Sequence, residues 1–189
     1  NPEIVSKMGK NFISGSLEYG VLPCAKHFPG HGDAAVDSHL GLPIINHDTK
    51  RIREVEMKPF IDNINVPSIM SAHILFPAYD SVPATLSKNV ITGVLRQELG
   101  YDGIVITDCL EMKAIADQYG TEKGALLAVL AGIDLLCICH TLEKQVGALK
   151  LIEEAVNENA KIKKIIVCED TTRTYEIPTN VMLEIAKYE

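Results

Sequence analysis

The chain has 189 residues, of which 47% are apolar and 23% charged, and 25 acidic against 18 basic side chains give a net charge of -7. That length suits one domain with a real core, and the composition excludes intrinsic disorder, a collagen-like repeat and a disulfide-stapled miniprotein. No basic stripe marks a nucleic-acid or anionic-membrane surface. The longest apolar run, near Ala125 to Ile133, falls short of the ~18 residues a membrane span requires.

In chain order, Asn1-Pro2-Glu3 reads as a helix start, an Asn cap followed by Pro at the first helical position. Val5, Met8 and Phe12 follow at helical spacing. Val21 to Lys26 reads as a short buried strand, and residues 27–48, rich in Gly, His, Asp and Pro, as a loop. Thr49 to Asn63 reads as an amphipathic helix with Ile52, Val55, Met57 and Phe60 on its inner face. Pro67 to Ala72 is the next strand. Ser87 caps a helix that Gly100 stops after Leu99. Gly103 to Thr107 is a third strand, followed by a helical region broken around Tyr119-Gly120 and ending at Ala131-Gly132. Asp134 to Cys139 is a fourth strand, and a helix runs from Thr141 or Leu142 to Glu158. In the tail, Lys163 to Cys168 reads as a strand and Val181 to Tyr188 as a helix.

Strands separated by helices of this length imply βαβ units and a parallel sheet. The strands end at Lys26-His27, at Ser71 and His73, at Asp108, and at Cys139-His140. Each apolar run therefore delivers reactive side chains at its C-terminal end, where parallel α/β folds place ligand sites. No glycine-rich phosphate turn opens a helix, which disfavours a doubly wound nucleotide fold. The expected fold is α/β, a parallel (β/α) TIM-type barrel. A full barrel takes about 250 residues, so four clear strands suggest its later part, with the N-terminal strands missing. The expected division is residues 1–158 as barrel and residues 159–189 as a poorly matched closing tail.

Five cysteines, Cys24, Cys109, Cys137, Cys139 and Cys168, are odd in number and mostly set in apolar runs. They read as buried reduced thiols, which leans toward a cytoplasmic setting, with the cell surface or secretion left open because the true N-terminus is not seen. The run Cys137-Ile138-Cys139-His140 has no second pair at zinc-like spacing.

The densest polar stretch is KHFPGHGDAAVDSH, Lys26 to His39. It admits three readings. It could be a solvated loop, although Phe28-Pro29-Gly30 and Gly32 are rigid or special-backbone positions that would hold their neighbours. It could bind a metal through His27, His31, Asp37 and His39, although Pro29 and Gly30 remove the helix that a His-x3-His pair uses. Or Asp37 and His39 could form an acid/base dyad, since residues i and i+2 share one side of an extended segment. The carboxylate would then orient the ring and raise its pKa. Asp108, at the end of GIVITDCLEM, could cap the following helix or face that dyad across a shared rim. A carboxylate opposite an acid/base group is the pairing that glycoside cleavage needs.

The runs KHFPGHGD, DSH and TDCLEM resemble glycoside hydrolase family 3, specifically its β-N-acetylglucosaminidase branch, over roughly residues 1–158. The resemblance implies that Asp108 is a nucleophile forming a covalent glycosyl-enzyme, His39 the acid/base and Asp37 its carboxylate partner. It implies that Lys26 and His27 hydrogen-bond sugar hydroxyls, and that the substrate is a small β-linked N-acetylglucosamine glycoside such as a peptidoglycan fragment. No metal and no organic cofactor is implied. A non-catalytic sugar-binding remnant remains open, because the family's sugar-binding Asp and Arg from earlier loops have no counterpart here. Ala34 stands where the family commonly has Thr, and Pro178 interrupts the usual closing helix.

Overall fold

A computed structural model of the chain describes residues 1–34, 41–158 and 166–168, with side chains at 157, 158 and 166–168 excepted. Five strands, β1 (Cys24–Phe28), β2 (Ser68–Ser71), β3 (Ile104–Cys109), β4 (Leu135–Cys137) and β5 (Ile166–Cys168), lie side by side in sequence order. Every neighbouring pair is parallel. Helical crossovers join them, as parallel pairing requires. Strands that neighbour each other in chain order, all parallel, form an arc of a (β/α) barrel, as the sequence predicts. The strand expected over 163–168 is seen at its end, as β5, whereas the helix expected over 181–188 lies outside the described residues.

Helix α1 (Pro2–Glu18) begins as expected: the Asn1 carboxamide oxygen accepts the Glu3 N–H at 2.9 Å, and Pro2 occupies the first helical position. Its Val5, Met8 and Phe12 are exposed, and Ser6 is its one buried residue.

The first crossover, from β1 to β2, departs from a uniform amphipathic helix. It is built of α2 (Thr49–Arg51), a π-wound turn at Ile52–Glu56, and α3 (Lys58–Asp62). The Met57 N–H reaches back five residues to Ile52 O at 2.8 Å. That wider turn rotates the following residues. Ile52, Met57 and Phe60 are buried as expected, but Val55 is only half-buried and Glu56 turns inward instead. Glu56 meets Arg51 at 3.0 Å, and the loop after β1 folds tightly over it. A Cβ on Gly30, which has φ +132, would lie 2.5 Å from Glu56 O, and one on Gly32 2.8 Å from the Glu56 side chain. Two glycines of the polar run therefore serve close backbone approach.

The second crossover, from β2 to β3, is a π-wound helix at Asn89–Glu98. Ser87 caps it as predicted, its Oγ accepting the Val90 N–H at 3.1 Å and donating to Asp80 at 2.6 Å. Arg96 then ties the base of β3. Its guanidinium donates to Tyr101 O at 3.0 Å and Gly103 O at 2.6 Å and pairs with Asp134, whose carboxylate accepts the Val105 N–H at 2.7 Å. α4 (Lys113–Tyr119) and α5 (Thr121–Ala131) are divided at Gly120, φ +76, where the sequence places a break. α6 spans Leu142–Glu158. Ile69, Val105 and Leu136 on the strands, with Ile91, Leu95, Ile115 and Ala128 on the helices, form the dry core behind the sheet. Among the described residues, no helix is long and apolar enough to cross a membrane.

Candidate active site

β3 runs two residues further than its apolar stretch, through Asp108 to Cys109. This places Asp108 on the strand itself, at the C-terminal rim. The helix-capping reading fails here. α4 starts only at Lys113, and the Asp108 carboxylate instead accepts the N–H of its neighbour Cys109 at 2.7 Å.

β1 ends on the same rim. Its pairing with β2 is irregular between Lys26 and Phe28, and in that irregular stretch His27 Nε2 lies 3.3 Å from Asp108 Oδ2. The two side chains are 23% and 27% exposed, open enough for a ligand to reach. Burial alone would push the Asp108 carboxyl up. The His27 hydrogen bond, the Cys109 N–H and the nearby imidazoles outweigh it and hold the group down at about 2. Asp108 is thus a carboxylate at neutral pH. The ring of His31 packs edge-on against His27 at 5.7 Å, so the polar loop leaves β1 beside Asp108. Lys26 is exposed on β1, in register with Met70.

His73, two residues past the end of β2, is the contributor that sequence reasoning undervalued. It is buried, and both ring nitrogens are engaged. Nε2 lies 3.0 Å from Cys109 O, and Nδ1 lies 2.8 Å from Thr85 Oγ1. A carbonyl can only accept, so Nε2 carries the proton. Burial holds the ring pKa below its usual value, so the neutral ring has a bare Nδ1 that accepts the Thr85 hydroxyl. Ser71 Oγ donates to Thr85 Oγ1 at 2.9 Å. The chain Ser71, Thr85, His73 therefore ends on the carbonyl of Cys109, whose N–H holds Asp108. The Ser-Ala-His run at a strand end carried that signal, without showing which backbone group it would grip.

Asp37 and His39 lie outside the described residues. The loop is anchored on both sides of them. Gly30 and Gly32 pack on Glu56, and the Asp33 carboxylate accepts His47 Nε2–H at 2.9 Å, a bond that lowers the Asp33 pKa. His27 and His31 join no three-ligand cluster suited to a metal among the described residues.

Comparison with known proteins agrees with this fold. Residues 1–175 match the family model described as the glycosyl hydrolase family 3 N terminal domain. A beta-hexosaminidase A of Pseudoalteromonas piscicida is 39% identical over 150 residues, covering 71% of this chain and 25% of the relative. A beta-hexosaminidase of Idiomarina loihiensis is 33% identical over 153 residues, 80% of this chain and 46% of the relative. A solved glycoside hydrolase family 3 beta-N-acetylglucosaminidase from Paenibacillus sp. str. FPU-7 superposes with a TM-score of 0.82 at 46% identity, over 85% of this chain and 32% of that one. The chain thus spans between a quarter and a half of the curated relatives named here.

Proposed function

The chain belongs to glycosyl hydrolase family 3, and from that premise we propose that it carries the nucleophile-bearing part of a retaining exo-β-N-acetylglucosaminidase. The observation that carries this reading is the Asp108 carboxylate, ionised and partly open at the C-terminal end of β3, with His27 against it. The substrate class follows from the relatives, two beta-hexosaminidases and a beta-N-acetylglucosaminidase. A terminal β-linked N-acetylglucosamine, as in peptidoglycan fragments, fits it.

In this reading Asp108 Oδ attacks the anomeric carbon. The bond from that carbon to the glycosidic oxygen breaks, and His39 gives the leaving oxygen a proton, which forms the covalent glycosyl-enzyme. His39, now neutral, takes a proton from water as the water oxygen attacks the same carbon, and Asp108 leaves as a carboxylate. Two inversions retain the configuration. Asp37 orients the His39 ring and favours its protonated form. Lys26 and His27 donate to sugar hydroxyls, and His27 also keeps the nucleophile ionised. Support for the dyad comes from the anchored stem of its loop, which departs from β1 beside Asp108. No metal or organic cofactor takes part.

The test is hydrolysis of a chromogenic N-acetyl-β-glucosaminide by the full-length protein. Asp108→Ala should abolish turnover while leaving the fold intact, and surviving activity would overturn the nucleophile assignment. Chelation should leave the rate unchanged; a rate lost on chelation would instead favour a metal-dependent hydrolase built on the histidine loop. Sugar binding without turnover by the full-length protein would mark a non-catalytic remnant. A histidine acid does not repel phosphate as a carboxylate would, so phosphate belongs in the assay as an alternative acceptor.

A further inference from the structure

We infer that the β3 and β4 exits build a zinc site from Cys109, Glu111 and His140, with Cys139 at its edge. The Cys109 sulfur, a Glu111 carboxylate oxygen and a His140 ring nitrogen all lie within 4.8 Å of one another. Ligand atoms of a tetrahedral zinc sit about 3.5 Å apart, given Zn–S near 2.3 Å and Zn–N and Zn–O near 2.1 Å. Small side-chain rotations close that difference.

The sequence could not show this cluster. Cys139-His140 has no partner pair at zinc-like spacing along the chain, and the missing ligand arrives through strand pairing. Cys109 stands in register with Cys137 across β3 and β4, and the Leu110 N–H donates to Cys137 O at 2.9 Å. The two exits therefore run side by side, which carries Glu111 over to residue 140. There Glu111 Oε2 accepts the His140 backbone N–H at 2.6 Å, which fixes the carboxylate between the two segments. The Cys139 thiol neighbours that of Cys109, and water can take the fourth position of the tetrahedron.

Charge and chemistry choose the ion. The Glu111 side chain is only 6% exposed, and its carboxylate is held by the His140 N–H, by Thr141 and by Lys144 Nζ, 3.7 Å from Oε1. A carboxylate so oriented beside a thiol and an imidazole is preset as a ligand. One thiolate, one imidazole and one carboxylate form a borderline donor set that suits zinc, whereas magnesium and calcium need oxygen throughout. On binding, the Cys109 thiol gives its proton to solvent and ligates as thiolate. His140 is exposed, so the ion has an entry path. The site is separate from Asp33, His47 and Glu56, a second group of metal-type side chains in which Asp33 and Glu56 are already paired with His47 and Arg51.

The experiment is titration of the metal-free full chain, kept reduced, with zinc against a competing chromophoric chelator, and with cobalt(II) for its thiolate charge-transfer band. We expect one zinc per chain and a cobalt–thiolate band. Cys109→Ser should remove the band, and the exposed His140→Ala should weaken zinc at least roughly tenfold, with both variants keeping the circular dichroism of the parent. His47→Ala should bind as the parent does. The inference is overturned if the parent binds zinc no more tightly than His140→Ala, if the cobalt band persists in Cys109→Ser, or if His47→Ala is the variant that loses the metal.

Discussion

Replacing His73 by Phe isolates what the buried imidazole does for the site. Phe keeps a flat, slightly larger ring and removes both hydrogen bonds. The Thr85 hydroxyl can turn to Ala72 O, 2.9 Å away, and still accepts the Ser71 hydroxyl, while the Cys109 carbonyl keeps only the Met112 N–H at 3.0 Å. Losing one of the two bonds to that carbonyl costs about 1 kcal/mol, which should appear as a lower denaturant midpoint at unchanged slope. Cys109, which loses that anchor on its carbonyl, is the residue whose N–H holds Asp108 Oδ1 at 2.7 Å. A nucleophile released by a fraction of an ångström should lose rate more than binding. We expect kcat to fall roughly 10- to 100-fold with KM changed less than about threefold. Ile115→Val, in the core behind the sheet, costs a similar ~1 kcal/mol and serves as the control: its kcat should be that of the parent. Equal loss of stability in both variants with kcat unchanged in both would refute the positioning role and reduce His73 to packing.

Gly30→Ala sets a Cβ 2.5 Å from Glu56 O at φ +132 and should destabilise by more than about 2 kcal/mol, read as a drop in Tm. Acidification should act in two stages. Burial depresses the His73 pKa, so its contribution is complete above about 6.5 and is lost as pH falls below that. Asp108, lowered from 3.8 to about 2, contributes on the order of 2 kcal/mol above pH 4 that disappears toward pH 2. Urea midpoints across this range should lose the first stage in His73→Phe and the second in Asp108→Asn. In the pH–rate profile, a protonated His39 as general acid predicts a basic limb at or above about 6.5. Asp37→Asn should move that limb down and slow turnover, and an unmoved limb would remove the dyad from the account.

The strand order and the rim were legible because they follow from local patterns. Apolar runs of strand length alternate with capped helices, and parallel pairing then fixes which ends share an edge. Asp108, Lys26 and His27 could be placed there because each follows an apolar run directly. What stayed hidden depended on tertiary packing. Glu56 in the core needed the five-residue turn at Ile52 to Met57 and the bare backbone of Gly30 and Gly32, none of which a 3.6-residue period reveals. Helical spacing alone did not show that Val5, Met8 and Phe12 face outward on α1. His73 could be seen near a strand end, but its grip on Cys109 O joins β2 to β3 across 36 positions. The cluster of Cys109, Glu111 and His140 likewise comes together only through the β3–β4 register.

The central claim concerns the bond that Asp108 makes. Incubating the full-length enzyme with a fluorinated N-acetylglucosaminide that slows the second displacement, then mapping peptides by mass spectrometry, tests it directly. A single sugar adduct on the peptide holding Asp108, absent from Asp108→Ala, is the predicted result. An adduct on another residue, or an inverted product formed with no adduct, would contradict the account.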